Sequence, residues 1–380
     1  TPFPQLKTDS MSQFVSISSK KLVKLKKELS NQKVIIEKVI TPLISQVETF
    51  SQHMPLLIKL RHPGIKTQHW EKISDVVGFT VKPSADLSLQ EFLDFNLGRW
   101  FGKISEIAGV AAQEYAIESS IDQMDTELQT IKFVTVQYKD SGHFILQQVD
   151  EILSILDDQI VLTQSLLTSP FIGPVKTRAS ERLEFLKNSH DTLDEWMICQ
   201  RNFLYLQPIF SGTSIQQKLH REASDWLSAN KLWGSIMTLT HNHPDFLNVM
   251  HRETLNTQLK SCNKLLESIT KGINEYLETK RLNFPRFFFL SNEELISILS
   301  HTKDFDKIQE SMPKLFEYVN TLTVSSDIEI TAMNDVNGEC VTLVQPVNAN
   351  TIEIEEWLLA FEEEMKLTLK GSIRDALFNY

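Results

Sequence analysis

Two histidines separated by one residue, His241 and His243, are the side chains of this 380-residue chain that come nearest to a metal site. His251 follows nearby. Asn242 and Pro244 supply neither a carboxylate nor a thiolate, so the ligand set is incomplete at helical spacing. The pattern favours a polar loop between helices. A metal-dependent enzyme stays an alternative that depends on His241 and His243 alone.

Neighbouring carboxylates and a glycine–lysine step are the other places where chemistry could occur. Asp157 and Asp158 are adjacent, so on a helix they point in different directions and cannot share a proton as an acid/base pair does. The Gly102-Lys103 step has Leu97 where the first glycine of a phosphate-binding G-x-x-x-x-G-K-[ST] loop belongs, and Ile104 where the hydroxyl belongs. We therefore expect no catalytic residue, no bound cofactor and no metal in this chain.

The net charge of −11 and the cysteine usage restrict the expected partners and compartment. A surface that follows phosphates needs a basic excess, so the chain is not expected to bind nucleic acid. The three cysteines form no C-x-x-C pair, which fits a reducing compartment without a disulfide framework. No apolar run approaches the ~18 residues that span a bilayer, so no membrane partner is expected. The missing initiator Met suggests a fragment of a longer protein.

One segment departs from this acidic average. Seven lysines lie between Lys20 and Lys38, against Glu28 and Glu37. The pattern favours a solvated helix face, and docking on an acidic partner is the alternative interpretation.

Apolar spacing predicts a mainly α-helical fold. A seven-residue recurrence over 22–57 predicts a helix that is kinked or divided at Pro42 and Pro55. Ser88 and Glu91 form a capping box that opens a helix running, with breaks near Gly98 and Gly102, toward residue 131. Further helices are predicted over 67–77, 149–167, 183–204, 255–276, 291–299, 312–322 and 354–365. The last of these carries a dense acidic set on its outer face, and the stretch around residues 226–233 is less regular.

Two changes to alternating spacing predict small β-hairpins, one near 133–146 and one near 328–344. The second contains Asn337-Gly338, a strong short-range signal for a hairpin turn. The fold class is therefore mainly α, with two small β-hairpins.

The chain contains one aromatic block, Phe284-Pro285-Arg286-Phe287-Phe288-Phe289-Leu290. It is too apolar and too short for a surface loop, and we interpret it as a buried connector between two helices. Together with the residues up to Leu299, this block resembles the signature of dynein heavy chain linkers, F-P-R-F-[FY]-F-L-S-[ND]-[DE]-E-L-L-E-I-L. Glu294 matches the third acidic position of that signature.

Three further blocks resemble the same family and occur in the same order. Segment 60–70, which ends at Trp70, resembles L-R-x-P-x-[ML]-x-x-R-H-W. Segment 156–171, with Asp157 and Asp158, resembles L-L-D-D-x…T-Q-S…S-P-[FY]. Segment 194–210, with Trp196 and Tyr205, resembles D-E-W-x-x-x-Q-[RA]…Y-L-E-P-I-F. The residue choices are more similar to ciliary (axonemal) than to cytoplasmic dyneins.

The resemblance implies an elongated, curved rod of helical bundles that lies across a ring of six AAA+ modules, its C-terminal end continuous with the first. ATP and magnesium are then expected only in those downstream modules. Their nucleotide cycle would swing the linker between bent and straight states and so drive movement toward microtubule minus ends. The implied location is the cytoplasm and cytoskeleton, in the axoneme of a cilium or flagellum. A helical tether or scaffold without motor function is the alternative.

Three segments follow along such a rod: N-terminal linker helices over 1–168, a central helical bundle over 169–283 and a C-terminal part over 284–380. A linker must bend, and a helical rod bends where a helix is interrupted. The candidate hinges are two proline- and glycine-marked connectors on either side of the helix over 183–204. Their residues are Pro170, Gly173, Pro174, Pro208 and Gly212.

Overall fold

A computed structural model describes residues 3–29, 32–82, 87–139, 141–210, 213–300, 305–326, 328–349 and 353–378. Most of these residues are helical, and two small antiparallel sheets interrupt the helices. The prediction of a mainly α-helical fold with two hairpins is confirmed. Among the described residues, none of the helices combines the length and the apolarity that crossing a bilayer requires.

The α-helices follow in chain order as α1 Thr8–Glu28, α2 Lys33–Ile35, α3 Thr41–Leu60, α4 Thr67–Val77, α5 Leu89–Asp94, α6 Phe101–Thr130, α7 Val149–Leu167, α8 Lys176–Leu206, α9 Thr213–Lys218, α10 His220–Asn242, α11 Phe246–Met250, α12 Leu255–Asn283, α13 Asn292–Ser300, α14 Phe305–Gln309, α15 Met312–Leu315 and α16 Ile354–Phe378. A π-helical turn, Ile36–Ile40, lies between α2 and α3. Short 3-10 turns lie at Phe3–Gln5, Leu97–Trp100, Gly173–Val175 and Pro285–Phe289.

The first sheet is the hairpin of β1 Val134–Gln137 and β2 Phe144–Gln147, with Val136 opposite Ile145. The second sheet has the order β3-β4-β5, formed by β3 Thr321–Val324, β4 Glu329–Asn334 and β5 Cys340–Asn348. Both predicted hairpins are present, and the turn of the second contains Gly338 at φ 88°. The third strand, β3, was not predicted.

Local signals placed several helix ends correctly. The Ser88 hydroxyl accepts from the Glu91 amide at 3.2 Å, and the Glu91 carboxylate accepts from the Ser88 amide at 2.8 Å, so the predicted capping box opens α5. Along the first predicted helix, the π-helical turn directly precedes Pro42, which lies in the first turn of α3, where a proline needs no amide partner. Pro55 lies inside α3, which continues to Leu60, so the segment is not divided there.

The predicted helix over 312–322 is wrong beyond its first turn. It ends at Leu315 as α15, and Tyr318 has φ 68°, a left-handed conformation that an α-helix cannot contain. The following β-branched residues Thr321, Thr323 and Val324 pair with β4 instead. Pairing with a neighbouring strand therefore overrides the helical spacing.

The chain forms two compact units that interleave along the sequence. Unit 1 comprises Thr1–Ile131 and Ser154–Asn188, and unit 2 comprises Lys132–Leu153 and Ser189–Tyr380. Helix α7 begins in unit 2 and ends in unit 1, whereas α8 begins in unit 1 and ends in unit 2. The unit boundaries differ from the predicted segment boundaries at 168 and 283, and that three-segment division stays a prediction.

Unit 1 contains two apolar clusters. In the first, Phe3 stacks on Phe92 with ring centroids 4.2 Å apart and meets Trp70 edge-on at 6.0 Å. The second joins α6 to the connector between α7 and α8, and its buried residues are Ile117, Ile121, Met124, Ile172, Val175 and Ala179.

Unit 2 is built around α12, whose predicted seam is buried at Leu255, Leu259, Cys262, Leu266, Ile269 and Ile273. It packs against α10, which the sequence did not define as a helix. Trp233 of α10 is fully buried and stacks on Phe203 of α8 at 5.1 Å. The Gln200 amide bonds both the N–H (2.7 Å) and the C=O (3.0 Å) of Leu146, so this polar residue in the helix seam anchors the first hairpin.

Candidate functional site

The aromatic block forms a 3-10 turn between α12 and α13 and divides into a buried and an exposed face. Phe284 and Phe287 are fully buried and meet edge-on at 4.9 Å. Phe288 and Phe289 are 57% and 67% exposed. A 3-10 helix has three residues per turn, so residues 284 and 287 share one side and the next two cannot join them. The prediction that the whole block is buried is therefore wrong for Phe288 and Phe289.

Arg286 ties the block to two later elements of unit 2. One guanidinium nitrogen donates to the Leu315 carbonyl at 2.9 Å, and another lies 3.3 Å from the Glu362 carboxylate on α16. The guanidinium also covers the Phe316 ring at 4.7 Å. Hydrogen bonds from Lys366 and then from Arg286 lower the pKa of Glu362. This arginine thus links α12 to the last helix through charge, stacking and a backbone contact.

The buried rings continue this connection. Phe316 lies between Phe284, at 6.2 Å, and Phe361 of α16, at 5.1 Å. All three rings are almost completely buried. The aromatic block therefore belongs to the core that packs α16 against the rest of unit 2.

Glu294 is both a helix cap and an ion-pair partner. Its carboxylate accepts from the Ser291 amide at 2.9 Å, and the Ser291 hydroxyl accepts from the Glu294 amide at 3.2 Å, which confirms the second predicted capping box. Lys314 also donates to this carboxylate. The pKa of Glu294 is lowered by the hydrogen bond from Lys314 and by the Ser291 amide.

A charged cluster at the start of α16 was missed by the sequence analysis. Lys280 of α12 lies 2.9 Å from Glu353 and also donates to Glu355, and Lys218 lies 3.2 Å from Glu353. Glu355 is only 4% exposed, although the sequence placed it on an outer acidic face. The hydrogen bond from Lys280 is the main cause that lowers the pKa of Glu353. The half-buried Tyr276 ring lies 5.6 Å from the same ammonium.

The other family-matching residues lie apart from this cluster. In unit 1, Trp70 is buried and Asp157 and Asp158 are exposed. In unit 2, Trp196 is fully buried against Phe133, with ring centroids 5.6 Å apart. Tyr205 is half-buried, and burial followed by the charge of Glu293 raises its pKa. Trp70 and Trp196 are thus core residues of separate units, whereas Asp157 and Asp158 lie at the surface.

The first candidate hinge connector is anchored inside unit 1. Arg178 bonds Asp122 at 2.7 Å and also pairs with Asp125, and Arg182 pairs with Asp125 and donates to Gln159 at 2.7 Å. These contacts cross-link α6, α7 and α8 around the connector that contains Pro170, Gly173 and Pro174. A Cβ added at Gly173 would meet open space.

The second connector lies inside unit 2. Pro208 is exposed, whereas Phe210 is buried and stacks on Trp226 at 5.4 Å. Gly212 lies outside the described residues. Neither connector coincides with a boundary between the two units, and the hinge assignments stay predictions.

The histidines have local partners. His241 stacks on Phe144 at 4.0 Å and its Nδ1 lies 2.8 Å from the Thr135 hydroxyl. His251 Nδ1 lies 2.7 Å from the Leu247 carbonyl oxygen. Within the described ranges, no three His, Cys, Asp or Glu side chains converge as metal ligands.

Comparisons with known proteins agree with the four sequence blocks. A family model described as "Dynein heavy chain, N-terminal region 2" matches residues 1–376. The chain is 38% identical over 344 residues to "Dynein axonemal heavy chain 1" of Homo sapiens, which covers 90% of this chain and 8% of that protein. It is 35% identical over 338 residues to "Dynein axonemal heavy chain 3" of Mus musculus, covering 88% of this chain and 8% of the relative.

A third relative, "Dynein axonemal heavy chain 12" of Homo sapiens, is 36% identical over 318 residues, or 83% of this chain and 10% of that protein. The chain thus spans about a tenth or less of the length of these relatives. The resemblance inferred from the aromatic block and the three other motifs is confirmed. The chain belongs to the dynein heavy chain family and corresponds to N-terminal region 2 of the heavy chain.

Proposed function

We propose that this chain is the mechanical linker of a dynein motor, which swings between bent and straight states to transmit ATP-driven force toward microtubule minus ends. The observation that carries the proposal is the division into two units that share the continuous helices α7 and α8. Hydrogen-bonded helices are stiff, so a load on one unit is passed to the other. A swing would be a rigid-body rotation of one packed unit against the other, with α7 and α8 curving gently where they pass from one unit into the other.

The partner in this proposal is a ring of AAA+ modules in the same heavy chain, where ATP and magnesium bind. The proposed location is the cytoskeleton of a cilium or flagellum, in the axoneme, because the relatives described above are axonemal by name. Family membership supports the motor interpretation over a passive tether.

The experiment measures distances within a full-length motor that contains this chain. One fluorophore replaces exposed Lys72 in unit 1 and a second replaces exposed Lys264 in unit 2. Energy transfer between them should change when ATP is added. A matched control pair at Lys72 and Lys103, both in unit 1, should show no change.

A passive tether would give nucleotide-independent transfer for both pairs. That result would overturn the proposed swing and leave the family assignment intact. A change in the control pair alone would place the motion inside the first segment of unit 1, Thr1–Ile131, and would contradict a joint between the units.

A further inference from the structure

The outer face of α1 in unit 1 combines exposed apolar side chains with lysines. None of the residues of α1, all of which the structure describes, is buried. The helix is held along α3, with Met11 and Val15 partly buried against the first cluster of unit 1. Phe14 and Ile17 point elsewhere and are 71% and 51% exposed. A helix this long without one buried residue leaves most of its surface available for contact.

Helical spacing puts the exposed groups on one side. Phe14, Ile17, Lys21 and Lys24 follow at intervals of three, four and three residues, so they form one row along the helix. Lys20 and Lys27 flank that row, and all four lysines are exposed. The carboxylate of Glu28 lies 3.6 Å from Lys24, which leaves the other lysines of α1 in excess of its acidic side chains. This row is called the α1 outer row below.

We propose that the α1 outer row is a docking surface for an acidic amphipathic helix of another protein, which places apolar side chains on Phe14 and Ile17 and carboxylates on Lys21 and Lys24. Charge complementarity selects an acidic occupant, because this helix is basic although the chain as a whole has a net charge of −11. The apolar residues fix the position of the partner helix, because long-range attraction to lysines alone does not define a register.

An anionic membrane is the competing class of ligand for a basic amphipathic helix. Insertion into a bilayer needs a wide apolar face. On α1, Met11 and Val15 already pack against unit 1, and the exposed apolar residues Phe14, Ile17, Val23 and Leu25 are divided by lysines instead of forming one continuous face. This small apolar area interrupted by cations favours a helix over a lipid surface.

The test uses the complete 380-residue chain and defined probes. The main probe is a fluorescent synthetic helix with a leucine stripe flanked by glutamates, and the second is the same helix with glutamines in place of the glutamates. Poly-L-glutamate and vesicles of phosphatidylserine and phosphatidylcholine are the other two. We expect saturable binding of the glutamate helix by fluorescence anisotropy, weakened as salt rises because exposed charges are screened. The glutamine helix should bind at least about tenfold more weakly.

The variant Lys21→Glu/Lys24→Glu should weaken binding of the glutamate helix by at least about tenfold, since two attractive contacts become repulsive. Phe14→Ser should weaken it by about fivefold through loss of the apolar contact. The matched control is Lys260→Glu/Lys264→Glu, a pair of exposed lysines four residues apart on α12. This control should bind like the unaltered chain, and all variants should show the same circular dichroism.

The proposal is overturned by absent binding, by equal losses in the α12 control, or by vesicle binding without helix binding. Equal affinity for poly-L-glutamate and no effect of Phe14→Ser would also overturn it, because the surface would then be a non-specific cation patch. None of these outcomes depends on nucleotide-driven motion, so the result is independent of the proposed linker function.

Discussion

Phe287 and its neighbour Phe288 offer a matched pair for measuring how the aromatic block stabilises unit 2. Phe287 is fully buried and packs edge-on against Phe284, whereas Phe288 is 57% exposed and lies 5.8 Å from the Arg281 guanidinium. Both residues are phenylalanines in the same turn, so their alanine variants remove the same atoms. The difference between the variants therefore reports the surroundings of each ring, that is, its burial and its contacts.

The expected magnitudes follow from these surroundings. Removing a buried phenylalanine costs about 3 to 5 kcal/mol, and the edge-on contact with Phe284 puts Phe287→Ala near the upper part of that range. For Phe288→Ala, the buried fraction of the ring and the cation–π contact with Arg281 together give about 1 to 1.5 kcal/mol. The two variants should differ by roughly 3 kcal/mol, which is more than a hundredfold in an opening equilibrium.

Hydrogen exchange is the suitable assay, because a chain with two units need not unfold in a single two-state transition. Amide exchange in α12 and α13 should become about a thousandfold faster in Phe287→Ala and about tenfold faster or less in Phe288→Ala. Equal acceleration in the two variants would refute the division of the block into a buried and an exposed face. So would a larger effect of Phe288→Ala.

Three other measurements address separate features. Lys280→Met should destabilise unit 2 by about 3 kcal/mol, because it leaves the buried Glu355 carboxylate without its cation. The pKa of Glu353 is lowered in the folded chain, so its share of this stability is present above the usual value of 4.5 and lost as pH falls through the lowered pKa. The free energies of urea unfolding of the unaltered chain and of the Lys280→Met variant should therefore converge as pH falls. A difference that widens at low pH would contradict the ion pair. Gly64→Ala should destabilise unit 1 by about 1 to 3 kcal/mol, since the added Cβ would lie 2.4 Å from the Ala111 carbonyl oxygen, whereas Gly109→Ala on open helix surface should stabilise it by about 1 kcal/mol. Thermal unfolding is the check, since Gly64→Ala should lower the melting temperature and Gly109→Ala should raise it. The purified chain should show no magnesium-dependent ATP turnover, because it lacks a phosphate-binding loop, and saturable turnover in a coupled assay would disprove this.

Features with a local cause were predictable from the sequence. The capping boxes at Ser88 and Ser291 need only a hydroxyl and a carboxylate three residues apart, and both are present in the structure. The Asn337-Gly338 turn and the ends of α7 followed equally from short-range signals.

Features that depend on distant partners were not predictable in this way. Glu355 was placed on an outer acidic face, and its burial depends on Lys280, which lies 75 residues earlier in the chain. Strand β3 took the last two residues of the helix predicted over 312–322, because β4 was available to pair with it. The faces of Phe287 and Phe288 could be assigned only once the turn was known to be 3-10 and not α-helical. Tertiary pairing, which leaves no periodic trace, decided the first two cases, and the local type of turn decided the third.

The interleaving of the two units bears on how the chain can be synthesised and divided. During translation, Thr1–Ile131 emerges first, yet unit 1 is incomplete until Ser154–Asn188 follows. By then the hairpin of β1 and β2 has left the ribosome, while Gln200, which bonds Leu146 of that hairpin, has not. Leu146 of the hairpin, which is buried in the folded chain, therefore stays uncovered until the second half of α8 follows. A fragment ending at residue 188 would hold all of unit 1 together with a hairpin whose Leu146 has lost its partner Gln200, so no single cut leaves both units with all of their residues.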